Sequence, residues 1–210
     1  MGRGTLAGAD EAGRGCLAGP LVAAAVCFDY ARFCEDDFAA LHDLNDSKQL
    51  TRERRGELYP VILALARQTV VVACAPGTID RRGLHVCNLD LLARAVEGVR
   101  PAPLASLVDG FPLKECARPH QAVVGGDRRS AVIAAASVVA KVTRDRLMAT
   151  LHERFPEYGF DHHVGYATQV HHDAILRYGV CDLHRMSFAS VAYRQLELPD
   201  PPEPAASSDA

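Results

Sequence analysis

Three strand-like apolar runs that each finish in a carboxylate constrain this chain more than any other feature. Thr5 to Asp10 reads as a strand ending at the adjacent acids Asp10 and Glu11. Ala105 to Val108 reads as a short buried strand ending at Asp109-Gly110, and Gln121 to Val124 as another, ending at Gly125-Gly126-Asp127. Two further runs are strands by the same reasoning: Leu21 to Phe28, rich in Val and Ala, and the β-branched Gln68 to Ala75, stopped by Pro76-Gly77. Between and after them lie helical patterns. Leu58, Ile62, Leu65 and Ala66 recur at helical spacing after Thr51. Asn88 is placed to cap a helix carrying Leu91, Leu92, Ala95 and Val96 on one face. A long helix is expected from Ser130 to Phe155 and a further one from Ala167 to Tyr178. The small residues of Ala131 to Ala140 suit close packing on a sheet, whereas Lys141, Arg144, Asp145 and Arg146 read as the exposed half of that helix. Strands mixed with helices predict an α/β fold, with ligands gathered where strands end.

The 210 residues and 49% hydrophobic content are enough for one domain with a substantial core. Residues 199–210 hold Asp200, Glu203, Asp209 and four prolines but no base, which accounts for the formal charge of -3; this tail is expected to be disordered. Residues 1–198 then form the folded unit, and with four acids set aside in a site its remaining surface is slightly basic, which permits nucleic-acid binding. Seven scattered cysteines without a C-x-x-C pair argue against a disulfide framework and a structural zinc site. No signal-peptide pattern and no apolar run of membrane-spanning length is visible, so a cytoplasmic, membrane-free protein is expected.

Asp10, Glu11, Asp109 and Asp127 are the natural ligand set for Mg²⁺ or Mn²⁺, which prefer hard oxygen donors. A phosphodiester-cleaving site can use two such ions about 4 Å apart, and that needs carboxylates converging from distant segments. Adjacent Asp10 and Glu11 point to opposite faces of a regular strand, so both can serve one site only if the strand ends or bulges there, as Gly13 and Gly15 allow. Asp145, a rival fourth ligand, reads as a helix-surface ion-pair residue between Arg144 and Arg146. His162-His163 and His171-His172 lack the spacing of a zinc or iron site and read as surface and packing residues.

Several blocks resemble the ribonuclease HII family. Gly8-Ala9-Asp10-Glu11-Ala12-Gly13-Arg14-Gly15 followed by Leu17-Ala18-Gly19-Pro20 is similar to its opening motif; Asp46-Ser47-Lys48 with Leu50 to its second block; Val108-Asp109-Gly110 to its third. Gly126-Asp127 with Ser130 and Ile133 to Arg146 resembles the fourth, and Gly165-Tyr166-Ala167-Thr168 and His184-Arg185-Met186-Ser187-Phe188 the last two. The resemblance implies a ribonuclease H-like fold with a mixed sheet flanked by helices and a small helical C-terminal part. It implies a monomeric endoribonuclease that cuts the RNA strand of RNA–DNA hybrids and cuts 5′ of single ribonucleotides embedded in duplex DNA. The metal-binding carboxylates would be Asp10, Glu11, Asp109 and Asp127. Gly13, Arg14 and Gly15 would read the 2′-OH, the group that distinguishes RNA from DNA, and Tyr166 would pack on the adjacent deoxyribose. Lys48, Lys141 and Arg185 are candidates for phosphate contacts or for organising the site, and Ser137 for satisfying a backbone carbonyl.

Three positions depart from the family pattern: Cys16 where proline is usual, Gly125 where lysine commonly precedes Gly-Asp, and Phe111 where a polar residue is common. None removes a carboxylate. Arg14, in place of a lysine, favours type HII over the related type HIII. Two rival readings stay open at this level: another nuclease of the same fold, indifferent to ribose, and a non-catalytic duplex-binding module, against which four acids facing phosphate argue.

Overall fold

The computed structural model describes residues 4–46, 50–190 and 193. Lys48 and the segment 199–210, read above as a phosphate contact and a disordered tail, lie outside them.

Five strands form one sheet: β1 (Thr5–Ala12), β2 (Leu21–Asp29), β3 (Gln68–Cys74), β4 (Ala105–Asp109) and β5 (Gln121–Val123), in the order β3-β2-β1-β4-β5. β2 runs antiparallel to both β1 and β3, and β4 and β5 run parallel to β1. The parallel trio therefore delivers its C-terminal ends, and the acids that follow, to one edge. The sheet is mixed, and the α/β expectation holds.

The helices are α1 (Glu35–Ala40), α2 (Arg52–Leu65), α3 (Pro76–Arg82), α4 (Leu84–Gly98), α5 (Ala131–His152), α6 (Phe160–His163) and α7 (Gln169–Tyr178). α2 starts at Thr51, whose hydroxyl accepts from the Arg54 amide. α1 forms because Glu35, Asp36 and Asp37 crowd its first turn, where the helix dipole favours acids. Pro76 stops β3 and also opens α3, since a first-turn proline sacrifices no hydrogen bond. The expectation that Asn88 caps a helix is corrected: α4 begins at Leu84, after Gly83, and Asn88 lies buried inside it.

Strand parity divides the core in two. Ala7 and Ala9 of β1 with Leu21, Ala23, Ala25 and Cys27 of β2 pack against Leu91, Leu92, Ala95 and Val96 of α4. The alternate residues Ala12, Ala24, Val26 and Phe28 pack against Val132, Ala135, Ala136 and Val139 of α5, which α2 covers through Leu58 and Ile62. A smaller cluster of Ala18, Met148, Tyr158, Phe160 and Val164 seats the C-terminal helices on the far half of α5. Among the described residues no helix is long and apolar enough to cross a membrane.

α5 lies against β1 so closely that a side chain at Gly8 has no room: a Cβ there would sit 2.5 Å from the Ile133 amide nitrogen. The other two nearest atoms, the carbonyl carbon and oxygen of Val132, are backbone as well, so none of the three can swing aside. Gly8→Ala is therefore expected to lower stability by about 1–3 kcal/mol, as overpacking does. Urea unfolding of the variant beside the parent chain measures this.

Candidate active site

The site grows from the register of β1. Its parallel pairing with β4 runs from Leu6↔Ala105 to Ala9↔Val108, and the next residues on the two strands are Asp10 and Asp109. β4 stops there, which leaves that side of β1 open beside both acids. β1 itself does not stop at Asp10. It stays paired with β2 through Asp10↔Ala24, Glu11↔Ala23 and Ala12↔Val22, so the expected strand end or bulge is absent. Asp10 consequently faces the α5 side, where the Ser137 hydroxyl bonds its carboxylate. Glu11 faces the α4 side, where Asn88 reaches it. The two acids remain mutually close because both lie on the strip of β1 that β4 leaves uncovered. Neither Ser137 nor Asn88 was assigned this role from sequence; one sat in an alanine run and the other resembled a cap.

Like charges and burial dominate the electrostatics. Asp10 is only 6% exposed, and its carboxyl is pushed well above the usual range, first by burial, then by Glu11, with a further push from Asp109. Burial also raises Glu11; Arg14 opposes that shift and Asp109 adds to it. Asp109 accepts a 2.6 Å hydrogen bond from the Gly126 amide, which fastens the tight turn Gly126–Arg128, and with it the buried Asp127, to the end of β4. Asp10, Glu11 and Asp109 are thus brought together directly, and Asp127 adjoins them through the backbone.

The loop after β1 carries Gly13, Arg14 and Gly15. Gly13 has φ +98° and would drive any Cβ into the Arg144 guanidinium. Arg14 is partly exposed and lies 3.4 Å from Glu11, whereas Gly15 is open to solvent. Two arginines hold this loop from beneath. Arg144 Nε donates to the Pro20 carbonyl at 2.9 Å, Nη1 to Val164 at 2.9 Å and Nη2 to Ala18 at 3.0 Å. Arg185 donates to Gly19 at 2.8 and 3.0 Å, Gly13 at 2.7 Å and Arg14 at 3.3 Å. Both are fully buried. The expectation of an exposed Arg144 is corrected, because helix α5 is covered along its second half by the 13–20 loop and the C-terminal helices. Arg185 likewise faces carbonyl oxygens, so it reaches a substrate only through the loop it braces. Burial beside Arg144 lowers its pKa to about 10, which leaves it charged at neutral pH.

Tyr166 projects from the segment after α6 and is 42% exposed, as a contact residue needs and a core residue does not. The Lys141 ammonium lies 5.5 Å from its ring centroid and 2.7 Å from Asp145. Lys141 and Asp145 thus form the ion pair expected for Asp145, though Asp145 is buried. Cys16 is fully buried, and its thiol pairs with the Tyr166 side chain, so this departure from the family pattern sits against the proposed sugar contact. Phe111 is exposed and lies edge-on to His85. Gly125 precedes the turn holding Asp127.

Among the described residues no three acidic, histidine or cysteine side chains converge tightly enough, as placed, to hold an ion. The chemistry of the donor set still fits a hard divalent cation: all four candidates are carboxylates, and Asp109 raises both Asp10 and Glu11 while Glu11 further raises Asp10, a repulsion that a cation would relieve.

A family model described as ribonuclease HII matches residues 7–191. A ribonuclease HII from Rhizobium johnstonii is 51% identical over 191 residues, covering 89% of this chain and 79% of that protein. Among solved structures, the ribonuclease H2 from Pyrococcus horikoshii aligns with a TM-score of 0.74 at 27% identity, covering 92% of this chain and 97% of that one. Bst-RNase HIII, solved in complex with Mn²⁺, aligns with a TM-score of 0.71 at 23% identity over 90% of this chain and 68% of its own; at that identity the match speaks for the fold.

The raised Asp10 carboxyl has a thermodynamic consequence. Above its unfolded value of 3.8 the folded chain holds a proton that the unfolded chain releases, so stability falls as pH rises through that window and the deficit persists at neutral pH. Asp10→Asn removes the deficit. In EDTA at pH 7 the variant is expected to melt above the parent chain, by roughly 2–4 °C per kcal/mol relieved. The gap should close as pH falls towards 4. Calorimetric melts across that range check both the sign and the window.

Proposed function

Because this chain belongs to the ribonuclease HII family and is a ribonuclease H acting on RNA–DNA hybrids, we propose that it also cuts duplex DNA 5′ of a single embedded ribonucleotide, leaving 3′-OH and 5′-phosphate ends. The observation carrying this reading is the direct succession, on β1 and the loop after it, of a carboxylate cluster and a rigidly braced Gly13-Arg14-Gly15 turn. Cleavage chemistry and ribose recognition then lie within a few residues of each other.

Asp10, Glu11, Asp109 and Asp127 would hold Mg²⁺ or Mn²⁺, which when bound supplies activation of water and neutralisation of charge on the phosphate. The Mn²⁺ complex of Bst-RNase HIII, a protein of the same fold, supports a divalent ion here. Ser137 keeps Asp10 oriented, and the Gly126 amide keeps Asp109 oriented. Both bonds fix oxygen positions before substrate arrives, so little reorganisation is left for the reaction. Arg14 offsets the acids at the rim and offers a donor to the incoming backbone. Backbone groups of Gly13 to Gly15 approach the ribose 2′-OH, an approach that side chains would obstruct. Tyr166, exposed beside them, packs on the neighbouring sugar. Residues 1–198 act as one catalytic unit, the C-terminal helices contributing Tyr166.

Two experiments decide the reading. With Mg²⁺ or Mn²⁺, a DNA duplex holding one ribonucleotide should be cut once, on its 5′ side, while its all-DNA counterpart and EDTA-treated reactions stay intact. Equal cutting of both duplexes would instead identify a nuclease indifferent to ribose. Asp109→Asn is expected to lower cleavage by at least about 10³-fold, the scale on which electrostatic stabilisation acts, with an unchanged circular dichroism spectrum. Wild-type activity in that variant would remove Asp109 from the site.

A further inference from the structure

Three histidines, His171 and His184 buried and His163 half-buried, meet the backbone of Gly165 and Tyr166, and the cleavage chemistry uses none of them. His171 and His184 are 0% and 3% exposed. The rings of His163 and His171 stack at 4.5 Å with 17° between planes, and those of His171 and His184 are 5.3 Å apart. Tyr158, Phe160 and Tyr193 enclose them. The spacing of the histidines does not suit a metal site, and among the described residues no metal-holding group includes them.

Their partners dictate where each proton sits. A backbone N–H can only donate and a carbonyl can only accept. His184 Nδ1 lies 2.9 Å from the Cys181 amide, 3.2 Å from the Cys181 carbonyl and 3.3 Å from its thiol; the amide makes the shortest contact and can only donate, and the carbonyl already accepts from the His184 amide, so the proton of a neutral His184 is on Nε2. That Nε2–H faces His171 Nε2 at 3.2 Å, which must accept. His171 then carries its proton on Nδ1 and donates it to the Tyr166 carbonyl at 2.9 Å. In parallel, the Gly165 amide donates to His163 Nδ1 at 3.1 Å, and His163 Nε2–H donates to the Tyr158 carbonyl at 2.6 Å. With the amide as the partner of His184 Nδ1, every ring nitrogen takes one role and all three rings are neutral.

The chain ends on the segment that builds the substrate face. The Tyr166 carbonyl terminates it. The preceding carbonyl, of Gly165, accepts from the amides of Leu17 at 2.8 Å and Ala18 at 3.2 Å, in the loop that carries Gly13 to Gly15. We propose that His163, His171 and His184 are positioning residues for substrate recognition: one neutral, single-tautomer chain fixes the backbone at Gly165 and Tyr166 and, through it, the ribose-facing loop. The inference rests on Gly13 to Gly15 and Tyr166 contacting the substrate. Burial supports the neutral state by lowering all three pKa values, that of His171 to about 4. The facing charged groups are few: Asp161, which acts on His163 in the opposite direction, and His162.

Long-range ¹H–¹⁵N correlation spectra of the wild-type protein at pH 7 give the first test. The expected pattern is Nδ1–H for His171 and Nε2–H for His163 and His184. A doubly protonated or Nε2–H His171 overturns the proposal. Steady-state kinetics on the single-ribonucleotide duplex give the second. His171→Phe, lacking the donor, should raise KM about tenfold, the worth of one buried hydrogen bond, and leave kcat within about threefold. His171→Asn, whose amide can still donate to the Tyr166 carbonyl, should restore most of the lost affinity. Equal impairment of both variants, or no KM change in either, refutes a positioning role. Tyr166→Ala is the control: if it leaves KM unaltered, the substrate-contact reading fails, and the tautomer pattern alone decides the histidine chain. The spectra decide it also if His171→Phe does not fold.

Discussion

Two guanidinium groups hold the functional face of this protein in place. Arg144 comes from the middle of α5 and Arg185 from the C-terminal segment; Arg185 donates to carbonyl oxygens of the loop between β1 and β2, and Arg144 to that loop and to Val164 in the left-handed turn before Tyr166. Such charge-assisted bonds contribute about 1.5–3 kcal/mol each where the partners would otherwise be buried and unmet. A loop of residues 13–20, rich in glycine, has many conformations to lose. Six donor contacts select one of them. The Gly13 turn, the placement of Arg14 beside Glu11 and the docking of the C-terminal helices all follow from that selection.

The arginine anchors also hold the Gly13 to Gly15 loop in a fixed relation to the acids of β1. Asp10, Glu11 and Asp109 sit on the sheet, where β1 is paired on both sides up to Ala9 and on one side beyond it, and Asp127 sits on the turn fastened to the end of β4. The loop that carries Gly13 to Gly15 leaves that strand after Ala12 and is tied back to α5, which itself packs on β1 without room for a side chain at Gly8. Sheet, helix and loop form one rigid unit around Asp10. The price is a crowded, buried set of negative charges, which favours binding of a divalent cation and makes the metal-free chain less stable at neutral pH than its packing alone would allow.

Much of this was legible in the residues. The five strands fall where the apolar runs predict, and the acids at the ends of β4 and before α5 lie on the edge that parallel strands share. What misled was context. Asn88 has a capping side chain but sits one turn inside α4, where it meets Glu11. Arg144 lies in a stretch of charges that looks solvated, yet other segments cover it completely. Ser137 is one hydroxyl among alanines, and only the crossing of α5 over β1 sets it against Asp10. α1 and α3 are short helices set by local charge and by a first-turn proline, signals that also mark turns.

The amino-acid order by itself determined the fold class, the acids that follow the parallel strands and the adjacency of Asp10 and Glu11 to the Gly13 to Gly15 loop, because these depend on periodicity and on neighbours along the chain. Which way each side chain faces, and what stands opposite, was decided only by the tertiary structure. Asp10 and Glu11 point to opposite faces of β1 and are reunited by the early end of β4. The arginines and histidines became braces because burial removed water and left carbonyl oxygens from distant segments as their partners. Burial and long-range partners arise from packing between elements, and that is information no local stretch of sequence contains.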